Sequence, residues 1–212
     1  TQNLYEKKLV TYPRTDSRFL TDDMAHSLSD IVKLAFHTFP VEGVDNVPVH
    51  AEQVVNNKKV TDHHAIIPTR ELQKCNLGEL PKGELAILQL ISTRLCVAVG
   101  DPHRYAETVI ELDSGGTTFS AKGKTILHDG WKALVKKNNS TKIDEKEQAL
   151  PSVSVGDEMT VNSTEIKDGK TSPPKHYTED TLLQSMETAG ADEMPDEVER
   201  KGLGTPATRA GI

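Results

Sequence analysis

The 212-residue sequence predicts an α+β protein with a helical first half, a β-rich middle and a short helical end. Three observations carry that prediction. Apolar residues recur at helical spacing from about residue 20 to 100, the period falls to two between 104 and 167, and helical spacing returns after Pro173-Pro174.

In the first zone Thr21 offers a helix cap, with Asp22 and Asp23 near the positive end of the dipole. Met24, Leu28, Ile31, Val32 and Ala35 then form one apolar stripe, which Pro40 terminates. A second helix is expected over 82–98, where Leu85, Ile87, Leu88, Ile91, Leu95 and Ala98 are dense enough for burial on all sides, and Gly100 ends it. In the second zone Thr108, Ile110 and Leu112 alternate with Glu107, Val109 and Glu111. Gly115-Gly116 marks a hairpin turn into Thr117–Ala121. Val153 and Val155, then Met159 and Val161, predict another hairpin-like pair around Gly156-Asp157. The polar run Lys136–Gln148 reads as an exposed loop. In the third zone Thr178 caps a helix bearing Leu182, Leu183, Met186 and Ala189 on one face. The acidic link Ala191–Arg200 leads to Gly202-Leu203-Gly204, where Thr205 can cap a helix with Pro206 at its first position.

Composition narrows the function classes. Only 4% of residues are aromatic and 35% hydrophobic, a lean but sufficient core. No apolar run reaches the length of a membrane span, so a membrane partner is not expected. Cys75 and Cys96 are too few for a disulfide framework and no secretory pattern follows Thr1, which together predict a reducing cytoplasm. Net charge is −7, and residues 176–212 hold three Lys/Arg against eight Asp/Glu. Residues 1–70 nearly balance at eight against nine, so a localised phosphate site there is not excluded. The start at Thr1 and the stop at Ile212, two turns into a helix, predict an excised piece of a longer protein.

Three segments carry chemistry. In Leu9-Val10-Thr11-Tyr12-Pro13-Arg14-Thr15-Asp16-Ser17-Arg18 an apolar strand runs into a tyrosine. In an extended segment Tyr12 and Arg14 share a side and could converge on one phosphorus, the phenol as nucleophile and the guanidinium as a bidentate clamp. From the spacing alone, a half-buried Tyr beside a solvated Arg is the favoured reading. In Thr61-Asp62-His63-His64-Ala65-Ile66-Ile67-Pro68-Thr69 the adjacent histidines diverge and make poor joint metal ligands. One of them could bind a phosphate or move a proton, or both could be surface residues before a turn. In Lys201-Gly202-Leu203-Gly204-Thr205-Pro206-Ala207-Thr208-Arg209 a Gly-rich turn precedes a helix start, a phosphate cradle or an ordinary capped helix. It lacks the spacing of a Walker loop.

Taken together, the wording and order of Thr11–Arg18, His63–Thr69 and Gly202–Arg209 closely resemble the type IA DNA topoisomerases, the bacterial topoisomerase III branch in particular. The resemblance spans the whole chain. It implies that Tyr12 is the nucleophile that breaks one DNA strand and stays joined to the 5′ phosphate. It implies that Arg14 grips the scissile phosphate and that His63 lies beside the active site. By the same likeness Thr15, Ser17 and Arg18, with Thr205, Thr208 and Arg209, are expected to contact single-stranded DNA. The family's toroid implies a helical tyrosine domain over 1–102, part of a β-rich arch over 103–174 and the opening of a helical DNA-binding base over 175–212. Its metal-binding Toprim domain has no counterpart here, since no Asp-x-Asp-x-Glu pattern occurs. Magnesium is therefore expected outside this chain, on the remaining domains of the same polypeptide, and no metal ligand is assigned within it. The rival is a noncatalytic module for single-stranded nucleic acid in which Tyr12 stacks on a base, and the near-neutral balance of 1–100 speaks against the basic face it needs. A hydrolase using His63 lacks a metal cluster.

Overall fold

The computed structural model describes residues 1–60, 62–135, 149–190, 206–209 and 211. In these residues the architecture is mixed helix with a single two-stranded antiparallel sheet. The helices are α1 (Gln2–Glu6), α2 (Ala25–Thr38), α3 (Lys82–Val99), α4 (Glu179–Thr188) and α5 (Pro206–Arg209). The strands are β1 (Arg104–Ser114) and β2 (Thr117–His128).

The core forms where α2 lies across α3. Leu28, Ile31, Val32 and Ala35 of α2 pack with Leu95, Cys96 and Val99 of α3, and Leu20, Val54, Ile67 and Leu134 close the cluster. A second cluster gathers Leu4 of α1, Leu9, Val10, Leu72 and Leu88. Each such side chain, taken wholly out of water, contributes about 1.5–3 kcal/mol before entropy is counted. Against expectation, α3 is not buried all round. Leu88, Ser92, Leu95, Cys96 and Val99 face inward, whereas Ile87 and Leu90 remain 36% and 55% exposed. Among the described residues only one side of the helix has neighbours to pack against, so hydrophobic density along it does not translate into full burial. Burial pushes the Cys96 thiol up to about 11.

Helix α2 also begins later than the caps suggested. Asp22–Met24 form a 3-10 turn, and Thr21 makes no side-chain cap. Asn57 does the work from another loop, its Oδ1 accepting from the Asp22 N–H at 2.8 Å while its Nδ2 donates to the Asp22 carboxylate at 2.6 Å. The Thr178 cap forms as expected, with its hydroxyl accepting from the Thr181 N–H and the Thr181 hydroxyl accepting from the Thr178 N–H.

The hairpin is a long ribbon. Its register runs from Arg104↔His128 to Ser114↔Thr117, and Gly115 and Gly116 both hold φ values above zero, 62° and 80°, as a two-residue primed turn requires. At about 3.3 Å per residue it reaches about 36 Å from its root. Nearly every position along it is exposed, including Phe119 and Leu112, which face each other across the strands. The second hairpin expected around Gly156-Asp157 is absent. Its turn survives, with the Asp157 N–H bonded to the Ser154 carbonyl at 3.1 Å, but no ladder follows. Val155, Met159 and Val161 find no surface to cover and stay exposed, so alternation there gains no burial. The expectations for Lys136–Gln148, Ala191–Arg200, Gly202-Leu203-Gly204 and Thr205 lie outside the described residues.

The hairpin root is tied to the helical part. Asp101 accepts from His50 at 2.8 Å and lies 3.4 Å from His128, while the Trp131 N–H bonds the Asp101 carbonyl. Gly130, at φ 53°, sits where a Cβ would come 2.4 Å from the Pro102 carbonyl oxygen, so only glycine fits this return of the chain.

Candidate nucleic-acid and strand-cleavage site

The two central motifs form one structure. Helix α1 ends in a left-handed turn at Lys8 (φ 59°), and the Leu9 N–H reaches back to the Leu4 carbonyl at 2.8 Å. That turn aims Leu9 and Val10 alongside Pro68, with which Val10 makes an antiparallel bridge. Thr69 holds the turn through a short hydrogen bond from its hydroxyl to the Lys8 carbonyl. Leu9 and Thr69 then pair at 3.0 Å, Thr11 and Ile67 at 3.0 Å. The Thr11 hydroxyl adds two more bonds, donating to the Ala65 carbonyl at 3.2 Å and accepting from the Ile67 N–H at 3.0 Å.

Beyond Tyr12 the stitching continues through hydroxyls. Thr15, only 9% exposed, donates to the His63 carbonyl at 2.7 Å and accepts from the Ser17 N–H at 3.0 Å. Ser17 donates to the Lys59 carbonyl at 2.8 Å and accepts from the Phe19 N–H at 3.1 Å. The Ala65 N–H closes the set on the Phe19 carbonyl at 2.8 Å. The chain from 9 to 20 is thereby held against 63–69 on both sides of Tyr12.

This frame puts Tyr12 against His63. Their ring centroids are 4.4 Å apart at 51°, and the Tyr5 ring meets Tyr12 in a T-shaped contact at 5.3 Å. Among the described residues the Tyr12 hydroxyl has no hydrogen-bond partner. Arg14 is exposed and likewise makes no hydrogen bond or ion pair among them. A half-buried phenol in contact with two rings, with an uncommitted guanidinium two residues on, leaves both groups available to an incoming phosphate. Arg18 is engaged instead: its guanidinium donates to Glu187 of α4 at 2.6 Å. Glu187 also faces Arg209 of α5, at 3.8 Å. Arg209 is 94% buried by residue surface, and Thr208 beside it is exposed. No group of three or more His, Cys, Asp or Glu side chains that could hold a metal ion exists among the described residues.

A family model described as DNA topoisomerase matches residues 1–212. The chain belongs to that family. Similar proteins include the DNA topoisomerase 3 of several bacteria. The chain is 40% identical to DNA topoisomerase 3 of Bacillus licheniformis over 100% of its own length and 30% of that protein. The corresponding figures are 38%, 100% and 31% for DNA topoisomerase 3 of Bacillus subtilis. They are 36%, 100% and 33% for that of Vibrio cholerae. The chain therefore spans about a third of the length of these relatives, as a type IA, topoisomerase III-like fragment.

Within this topoisomerase fragment the structure brings Tyr12, Thr15, Ser17 and His63 together and leaves Arg14 open on the same loop. Thr15 and Ser17, singled out as DNA contacts, donate their hydroxyls to the His63 and Lys59 carbonyls. Sequence reading passed over Tyr5, Lys8, Thr11 and Glu187. Tyr5 and Lys8 lie on a five-residue helix and its turn, too short to show a period. Thr11 and Glu187 act through partners 54 and 169 residues away, which no local pattern reveals.

Proposed function

We propose that the chain is the strand-cleaving part of a type IA topoisomerase that passes DNA strands through a transient single-strand break. Residues 1–102 are the tyrosine-bearing domain of the toroid, 103–174 part of its arch and 175–212 the opening of its base. The Tyr12 oxygen attacks a backbone phosphorus, the bond from phosphorus to the 3′ oxygen breaks, and the 5′ phosphate stays on the tyrosine. The phenol proton leaves and the freed 3′ oxygen gains one. Arg14 holds the nonbridging oxygens, where negative charge accumulates during attack. His63 and Tyr5 fix the phenol ring by their contacts with it. The phosphotyrosine keeps the energy of the broken bond, so the 3′ hydroxyl reseals the strand by attacking back. Single-stranded DNA is the substrate. Magnesium, which the family implies, would be supplied by the remaining domains of the polypeptide, and no step here is routed through it.

The single observation that supports this most is the Tyr12–His63 ring contact at 4.4 Å with Arg14 uncommitted on the same loop. The test uses the longer polypeptide. Tyr12→Phe keeps the ring and should abolish covalent cleavage while leaving DNA binding intact. Arg14→Lys loses the planar fork and should lower cleavage by about 10²–10³-fold, the cost of one transition-state donor. A Tyr12→Phe enzyme that still traps DNA covalently would move the nucleophile elsewhere.

A further inference from the structure

The contact between Arg18, Glu187 and Arg209 has an unusual balance. One carboxylate serves two guanidiniums from opposite ends of the chain, through Oε1 at 2.6 Å to Arg18 and Oε2 at 3.8 Å to Arg209. Arg209 is poorly served by it. Its side chain is 5% exposed, Glu187 stands beyond hydrogen-bond reach of it, and among the described residues its Nε–H has no partner. A buried guanidinium with an unpaired N–H is costly and calls for an acceptor that reaches further into the fork. Arg18 is the reverse case, with 78% of its side chain exposed, so its pair with Glu187 is of the readily exchanged surface type.

A phosphodiester meets both requirements. It carries the single negative charge of a carboxylate, yet presents two nonbridging oxygens and ester oxygens on a tetrahedral centre, enough acceptors for two forks. We propose that Arg18 and Arg209 form a seat for one backbone phosphate of a single strand, and that Glu187 fills this seat as an internal stand-in until the strand displaces it. The proposal rests on the DNA-cleaving function above and adds a competitor that sets affinity. It also couples the Tyr12 loop, through Arg18, to α4 and α5. DNA arrival trades that intramolecular link for one made through the strand.

The test measures binding of a fluorescent single-stranded oligonucleotide to the longer polypeptide by anisotropy at several salt concentrations. Removing the competitor with Glu187→Gln should tighten binding at least about threefold and steepen the salt dependence by about 0.7 in log–log slope, the increment for one more phosphate contact. In an Arg18→Ala background the same substitution should give no gain. Glu179→Gln, an equal loss of charge on the exposed first turn of α4, should give little. A gain that persists without Arg18, or that Glu179→Gln reproduces, reduces Glu187 to bulk charge and overturns the proposal. Equal or weaker binding by Glu187→Gln overturns it too. In the wild-type chain the Arg209 Nε–H resonance should shift on titration with the same oligonucleotide, and an unmoved resonance at saturation is a second refutation that needs no variant. If no variant binds the oligonucleotide, the DNA reading falls together with this one. If all bind alike, only this one falls.

Discussion

Thr15→Val isolates the device that holds His63 beside Tyr12. Valine keeps the shape of threonine and removes only the hydroxyl, which makes bonds of 2.7 Å to the His63 carbonyl and 3.0 Å from the Ser17 N–H. With 9% of Thr15 exposed, water does not replace those bonds freely. Two partly buried groups left without their partner cost about 1–1.5 kcal/mol each, so the loss should be about 2–3 kcal/mol. For a chain of this size that corresponds to a fall in Tm of about 5–10 °C. Thr15→Ser retains the hydroxyl and gives up one methyl, about 0.8 kcal/mol. Urea unfolding of the three proteins should therefore rank wild type above Ser above Val, with unchanged m-values. A Val variant within about 0.5 kcal/mol of wild type, or a Ser variant as damaged as Val, would refute the assignment of stability to these two bonds.

Two further outcomes follow from the charged and thiol groups. Bonding to Asp101 raises the His50 pKa, and the bond from His50 holds the Asp101 carboxyl below its usual range. The raised His50 contributes stability fully below its ordinary 6.5 and loses it as pH climbs through the shifted value; Asp101 contributes above its ordinary 3.8 and loses it as pH falls through its own lowered one. Wild type should thus gain most over His50→Gln in mildly acidic buffer, and a thermal-melt difference that is flat across pH would contradict this. With its thiol pushed up to about 11 and 3% exposure, Cys96 should resist an aromatic disulfide reagent at neutral pH until the protein unfolds, whereas half-buried Cys75 should react first. Equal labelling rates would show the α2–α3 core to be open.

Much of the fold was legible because it is local. The α2 stripe, the α3 run, the Gly115-Gly116 turn and the Thr178 cap all act within a few residues of themselves, and each appears where expected. The failures share a cause. Val153–Val161 has the right alternation, but a strand needs a surface to bury against, and the sequence does not say whether one is present. Thr21 looks like a cap, but Asn57, 35 residues away from Asp22, satisfies that turn instead. At the candidate site the sequence draws attention to Tyr12, Arg14 and His63 by residue type. The hydroxyl stitching by Thr11, Thr15 and Ser17, which sets their positions, was not. It joins irregular segments across 42 to 56 residues, and irregular backbone leaves no periodic trace.

Cleavage by Tyr12 with retention of the 5′ phosphate is tested most directly by asking which end of a cut strand the protein keeps. The longer polypeptide is mixed with a single-stranded oligonucleotide labelled at one end or the other, and the reaction is stopped with detergent. The 3′ label should migrate with the protein and map to the peptide containing Tyr12, while the 5′ label should leave as a free fragment ending in a 3′ hydroxyl. A 5′ label retained on the protein, or an adduct on a peptide lacking Tyr12, would contradict the mechanism.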